Sequence, residues 1–251
     1  MNTSLRIFQD KEALSQAAAE IFVQTAIQAI QARGRFLVNL SGGGTPARLY
    51  HLLADKPFRG HVDWAVTFVF WGDERCVPPD DKGSNYHQAH EILLRHVPIP
   101  KENILRIKGE LEPAQASDDY TQVLKNFATP GLDWPRFDLV LLGMGEDGHT
   151  ASLFPGSPVV ADSPTLAVTG DYQGRPAQRV TLTPPVLNSA RAIMFLVTGE
   201  SKAQTLKEVL RGANKPEVFP AQRIQPKDGK LFWLVDEGAA SQLANVHSFK
   251  R

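Results

Sequence analysis

The sequence predicts an α/β protein organised around a doubly wound, mostly parallel sheet flanked by helices, and three observations carry that expectation. Short β-rich runs alternate with segments of helical period along the chain. Several of these runs are nearly continuous in apolar residues, which is how strands covered on both faces read. Glycine- and proline-rich stretches directly follow strand ends, where open α/β sheets place their ligand sites.

Taken in order, a helix is expected over Asp10–Ala32 and a strand over Arg35–Leu40 (RFLVNL). A helix over Pro46–Ala54 follows, with Thr45 as N-cap and Pro46 in the first turn, where a missing N–H costs nothing. Next come a strand at Ala65–Trp71 (AVTFVFW), a loop at Val77–Gly83, and helices at Asn85–Arg95 and Ala114–Ala128. The strand Phe137–Leu142 (FDLVLL) leads into a glycine-framed run and a loop at Pro155–Pro164. Strands at Arg179–Thr183 and Ile193–Val197, a helix at Ser201–Arg211, a strand at Leu231–Val235 and a helix at Gly238–Ala244 complete the pattern. No repeat, low-complexity tract or charge run interrupts it, so residues 1–251 are expected to form a single domain.

Composition excludes several classes of function. Acidic and basic residues balance at 27 each, so no global field draws the chain to nucleic acid or to an anionic membrane. A phosphate ligand would have to be held by a local site. Nothing approaches the roughly 20 apolar residues of a membrane helix, and the N-terminus lacks the apolar run of a signal peptide. The single cysteine, Cys76, precludes an internal disulfide framework and suits a reducing compartment. A soluble, cytoplasmic monomer is expected.

Three constellations stand out. Ser41-Gly42-Gly43-Gly44-Thr45-Pro46 joins a strand to a helix, bringing backbone N–H groups and a helix N-terminus to one place that favours an anion. It is not a Walker A loop, because no Gly-Lys-Ser/Thr follows. Trp71-Gly72-Asp73-Glu74-Arg75 ends another strand. There Arg75 can pair bidentately with phosphate or carboxylate, and Asp73 can orient a substrate hydroxyl; a solvated charge cluster is the plainer reading.

The third is Leu142-Gly143-Met144-Gly145-Glu146-Asp147-Gly148-His149-Thr150, continuing to Pro155. Gly143, Gly145 and Gly148 satisfy the dinucleotide pattern GxGxxG, but Pro155 and Pro158 cut short the long helix that pattern requires. Asp147 would also repel a pyrophosphate. Nucleotide binding is rejected. What remains is a loop presenting His149, the side chain best suited to accept a proton near neutral pH, with Asp147 placed to fix its tautomer. A capping or packing histidine is the alternative.

Lys202 begins a helix after the Ile193–Val197 strand and could reach the same phosphate; Arg179 opens its strand and either faces the site or caps a sheet edge. His87 and His90 lie three apart beside Glu91, without further ligands at metal-site spacing, so no metal is expected. Ser41 and Ser152 lack a GxSxG elbow, and Cys76 has no activating histidine nearby in sequence.

Together these motifs resemble the 6-phosphogluconolactonase family, within the wider glucosamine-6-phosphate isomerase/deaminase superfamily. The resemblance runs in order through SGGGTP (Ser41–Pro46), WGDERCVP (Trp71–Pro78) with SNY (Ser84–Tyr86), FDLVLLGMGEDGHTASLFPG (Phe137–Gly156), RVTLT (Arg179–Thr183) and TGESK (Thr198–Lys202). The third block is highly specific; SGGGTP alone would be weak. Gly44 departs from the pattern, standing where many relatives carry Ser. The resemblance implies a modified Rossmann-like α/β domain with no nucleotide site. It implies that the Ser41–Thr45 loop, Arg75 and Lys202 hold a sugar phosphate, with Gly145 and Arg179 counted among the substrate-binding positions. His149 would be the general base, with Asp147 and Asp73 supporting substrate or water.

The implied activity is hydrolysis of a phosphorylated sugar lactone without metal, redox cofactor or covalent intermediate. The nearest rival is an isomerase/deaminase of amino-sugar phosphates. Those relatives carry Glu five residues after the site histidine, where this chain has Phe154. The other rival, a non-catalytic sugar-phosphate sensor, would need a DNA-binding module for which neither terminus has room or charge.

Overall fold

The computed structural model describes residues 2–158, 163–170, 174 and 176–243. Part of the expected Pro155–Pro164 loop, and Ala244 of the expected last helix, lie outside these residues.

A seven-stranded sheet in the order β1-β10-β9-β6-β2-β3-β5 forms the centre, and every pairing in it is parallel. Its strands are β1 (Asn2–Phe8), β2 (Phe36–Leu40), β3 (Thr67–Trp71), β5 (Ile104–Leu105), β6 (Leu139–Leu142), β9 (Ala192–Val197) and β10 (Lys230–Asp236). From β2 the chain builds outward through β3 and β5 on one side; β6, β9 and β10 extend the other. The direction of growth reverses between β2 and β6, so loops leaving these neighbours part and open a crevice at the strands' carboxyl ends.

The apolar runs are buried as their composition demands. Every residue of β2, β6 and β9 is buried, and Phe195 stacks on Trp233 at 3.9 Å. Each such large apolar side chain contributes about 1.5–3 kcal/mol on burial. Helix α1 (Lys11–Arg33) starts where the Asp10 carboxylate accepts from Ala13 N and stops at Gly34, whose φ of 71° L-residues rarely adopt. It buries Leu14, Ala18, Phe22 and Ala26 against the sheet. Helices α2 (Gly44–Ala54), α3 (Asn85–Ile92), α4 (Pro113–Asn126), α5 (Pro184–Asn188), α6 (Ala203–Arg211) and α7 (Glu237–Ala240) complete the helical set among the described residues, apart from single 3₁₀ turns.

Three expectations need correction. Thr45 is not the N-cap of α2: the helix begins one residue earlier with Gly43 as cap, and Thr45 Oγ1 meets Thr198 Oγ1 at 2.7 Å instead. The RVTLT run is a strand, β8 (Gln178–Leu182), but of a second sheet, antiparallel, in the order β4-β8-β7. The WGDER cluster supplies that sheet's β4 (Asp73–Arg75), with β7 at Thr165–Thr169. No described helix is long and apolar enough to cross a membrane.

Candidate active site

The carboxyl ends of β9, β6, β2 and β3 surround a cavity of about 170 Å³. Of the residues singled out in the sequence, Ser41, Gly42, Gly43, Gly44, Thr45, Asp73, Arg75, Gly145, His149, Arg179 and Lys202 all line it. Asp147 does not, because it stands behind His149. Its Oδ1 lies 2.6 Å from His149 Nδ1 and accepts His149 N at 3.1 Å. Burial pushes the Asp147 carboxyl up, but the hydrogen bond and charge of His149 together outweigh it, leaving the carboxyl below the usual range. An ionised Asp147 fixes the tautomer: Nδ1–H donates to the carboxylate, and Nε2 is left as the basic nitrogen.

Gly145 makes this arrangement possible. A Cβ there would overlap the His149 ring and come within 2.6 Å of Asp147 Oδ1. The loop closes on itself through Gly145 N donating to His149 O (2.9 Å) and Thr150 Oγ1 donating to Gly143 O (2.8 Å). Among the described residues no helix directly follows the GxGxxG run; a tight turn bridged between Thr150 and Leu153 takes its place, as the prolines predict. Phe154 emerges from that turn with its ring 4.8 Å from the His149 ring, and the Arg179 guanidinium lies over it at 5.2 Å. An aromatic wall therefore separates the imidazole from a cation.

The other side of the cavity is cationic. Arg75 and Arg179 sit directly opposite each other in the β4–β8 register, 9% and 2% exposed. Two buried guanidiniums thus stand side by side at the cavity wall. Arg75 donates from Nη1 to Gly83 O at 2.5 Å, while its buried Nε has no hydrogen-bond partner among the described residues. Arg179 thus faces the site, which decides between its two sequence readings. Lys202 closes a 3₁₀ turn (Glu200–Lys202) after β9 and lines the same cavity.

The glycine loop offers fewer donors than its sequence suggests. Gly43 N is taken by Gln88 Oε1 (2.9 Å), and Ser41 N by the Tyr50 hydroxyl (3.1 Å). Pro46 has no N–H, so Gly44 and Thr45 carry the first-turn amides of α2. Ser41 Oγ, buried at the cavity wall, has no partner among the described residues.

Asp73, 5% exposed, accepts Ser152 Oγ on Oδ2 (2.6 Å) and Asn85 Nδ2 on Oδ1 (3.3 Å). Ser152 reaches it because Ala151 adopts a left-handed backbone (φ 49°), a strain of roughly 1 kcal/mol for a non-glycine residue. Glu74 faces away and accepts from Arg75 N, Asn85 N, Tyr86 N and Ser84 Oγ at 2.7–2.9 Å. Burial pushes its carboxyl up despite these bonds. It ties β4 to the start of α3, which sets both Arg75 and Asn85. Asn85 carries no role in the sequence reading; Ser84 as a helix cap is the signal that would have placed it at the strand end, and that cap is present.

Burial pushes the Cys76 thiol up to about 11, away from a reactive thiolate. His90 Nδ1 pairs with Glu91 Oε1 at 3.1 Å, and no group of three or more His, Cys, Asp or Glu suited to a metal exists among the described residues.

Comparison with known proteins agrees with this architecture. The family model described as glucosamine-6-phosphate isomerases/6-phosphogluconolactonase matches residues 9–233. A Synechocystis protein named 6-phosphogluconolactonase is 38% identical, with 97% of this chain and 99% of that protein covered. The rice protein named probable 6-phosphogluconolactonase 3, chloroplastic, is 36% identical over 96% of this chain and 76% of its own. Among solved structures, the 6-phosphogluconolactonase from Trypanosoma brucei superposes with a TM-score of 0.86 at 27% identity, covering 97% of this chain and 99% of that one. Fold, site and sequence thus converge, and the chain belongs to the glucosamine-6-phosphate isomerase/6-phosphogluconolactonase family.

Proposed function

We propose that this chain hydrolyses 6-phospho-D-glucono-1,5-lactone to 6-phosphogluconate, the lactonase step of the oxidative pentose phosphate pathway. The observation that carries the reading is the His149–Asp147 pair at 2.6 Å, walled by Phe154 and set in a cavity lined by two buried arginines. A δ-lactone is an activated ester, so water needs only modest help to attack its carbonyl. His149 Nε2 takes a proton from that water as it attacks, a contribution of about 10²–10⁴ in rate. Asp147 stabilises the imidazolium that forms. The same proton then goes to the ring oxygen as the C–O bond breaks, and the ring opens. The cations and amides of the cavity wall stabilise the oxyanion between the two steps.

Recognition of the 6-phosphate falls to Arg75, Lys202 and the Gly44 and Thr45 amides, with Arg179 beside Arg75 and the Ser41 hydroxyl at the wall. Asp73, anchored by Ser152 and Asn85, accepts a sugar hydroxyl or orients the water. Phe154 disfavours the isomerase/deaminase alternative, because a phenyl ring cannot move the proton that sugar ring opening requires.

We take the chain to act as a monomer, which sedimentation checks. A lone half-buried cysteine supports a cytoplasmic setting. The test of the activity is a coupled assay: generate the lactone enzymatically from glucose 6-phosphate and follow 6-phosphogluconate. Production no faster than spontaneous hydrolysis would overturn the reading.

A further inference from the structure

The segment after α6 has no apolar period, and the function proposed above leaves it unused. Residues 215–224 lie along the loop that carries His149. Ala221 N donates to Gly148 O (2.9 Å), and Phe219 rests against Gly148, whose φ is 82°. Further on, Gly156 N donates to Glu217 O (2.9 Å) and Arg223 Nη2 to Ser157 O (3.1 Å). The strap therefore grips the loop immediately before His149 and again just after Phe154.

One side chain fixes the strap. Gln222, buried, accepts Lys215 N on Oε1 at 2.7 Å. Its Nε2 is shared among the carbonyls of Glu208, Val209 and Ala213 at 3.2, 3.4 and 3.1 Å. Glu208 and Val209 belong to the last turn of α6, and Glu208 O also accepts the cap amide Gly212 N at 2.9 Å. That helix starts beside Lys202 and holds the same loop at its other end, where Thr205 Oγ1 donates to Glu146 O at 2.5 Å. Gln222 thus joins two braces, α6 at Glu146 and the strap at Gly148 and Gly156.

We propose that Gln222 is a positioning residue for His149: by locking the strap to α6, it fixes the loop that aims the imidazole. This rests on His149 being the base, as proposed above. Proton transfer needs heavy atoms about 2.6–3.2 Å apart, so a slackened loop loses rate without losing the substrate. A displacement of about 1 Å can cost on the order of 100-fold.

The test is Gln222→Leu, which keeps most of the buried volume and removes every hydrogen bond of the amide. The expected result is kcat about tenfold lower, KM within twofold, one cooperative unfolding transition above the assay temperature, and faster hydrogen exchange in residues 145–157 but not 36–40. A folded variant with wild-type kcat overturns the proposal, as does a lowered kcat with unchanged exchange in 145–157. Should Gln222→Leu not fold, Phe219→Leu loosens the contact at Gly148 alone. A several-fold fall in kcat at constant KM then supports the proposal, and wild-type kcat sinks it. Measuring His149→Asn alongside separates the two readings. If that variant hydrolyses the lactone as well as wild type, it is the general base that fails, and the exchange data still decide whether Gln222 braces the loop.

Discussion

The two ends of the central sheet each bury a carboxylate, and they satisfy it in opposite ways. At the amino ends of the strands, Asp138 has cations of its own. Arg33 approaches Oδ1 at 2.8 Å, Arg191 at 3.4 Å, and Leu37 N donates to Oδ2 at 2.9 Å. At the carboxyl ends, Asp73 is held by a hydroxyl and an amide at the wall of a cavity that Arg75, Arg179 and Lys202 also line. A buried carboxylate paired on the spot is structure. One that is anchored by a hydroxyl and an amide at a cavity wall is placed to meet whatever enters the cavity.

That contrast is open to direct attack. The largest effect belongs to His149→Asn, which should nearly abolish turnover while leaving the affinity of a substrate analogue within a few-fold. Retention of more than about a tenth of wild-type kcat would rule out general-base catalysis. Next is the phosphate. Arg75→Ala and Lys202→Ala should each lower kcat/KM by about ten- to a hundredfold, since a charge-assisted contact contributes on the order of 1.5–3 kcal/mol. They should also erode the preference for the phosphorylated lactone over gluconolactone. Kinetics of both lactones, corrected for spontaneous hydrolysis, decide this; equal rates in wild type would mean that no phosphate is read.

Ser152→Ala should reduce kcat several-fold, because Asp73 loses its shortest anchor. Asp138→Asn, at the other end, should leave kcat and KM unchanged. Equal losses in both variants would erase the distinction drawn between the two ends.

The smallest effects concern stability and pH, and their signs are opposed. Asp147 has a folded pKa below its unfolded one, so its contribution is present above the ordinary carboxylate range and is lost as pH falls through the lowered value. Asp138 is raised, with burial outweighing its arginines, so its contribution is present at low pH and lost as pH rises through the raised value. On acidification the stability deficit of Asp147→Asn should therefore shrink and that of Asp138→Asn should grow. Thermal unfolding at neutral and acidic pH compares the two slopes. EDTA followed by dialysis should change nothing; activity lost and then restored by Zn²⁺ or Mg²⁺ would demand a different mechanism.

The sequence is legible where burial dictates it. The nearly all-apolar runs that became β2, β6 and β9 declare themselves because both faces are covered. Strand β1 escapes notice because its NTSLRIF run sits at the sheet edge and keeps polar residues. Strand β4 is invisible for a different reason: Asp73, Glu74 and Arg75 are buried by their partners, not by apolar character. The site's residue types are readable from their motifs, but its pairings are not. Arg75 meets Arg179 only through the β4–β8 register, and Ser152, weighed as a nucleophile, turns out to anchor Asp73. The brace on Gly148 lies far along the chain in a stretch with no period at all.

The small antiparallel sheet carries both arginines, whereas the imidazole hangs from the large parallel one. The two supports are stitched together by Ser152, whose hydroxyl donates to Asp73 Oδ2 at 2.6 Å and whose N–H donates to Thr181 Oγ1 at 3.2 Å. A substitution at Arg75 can alter the charge at the cavity wall without touching the loop that carries His149.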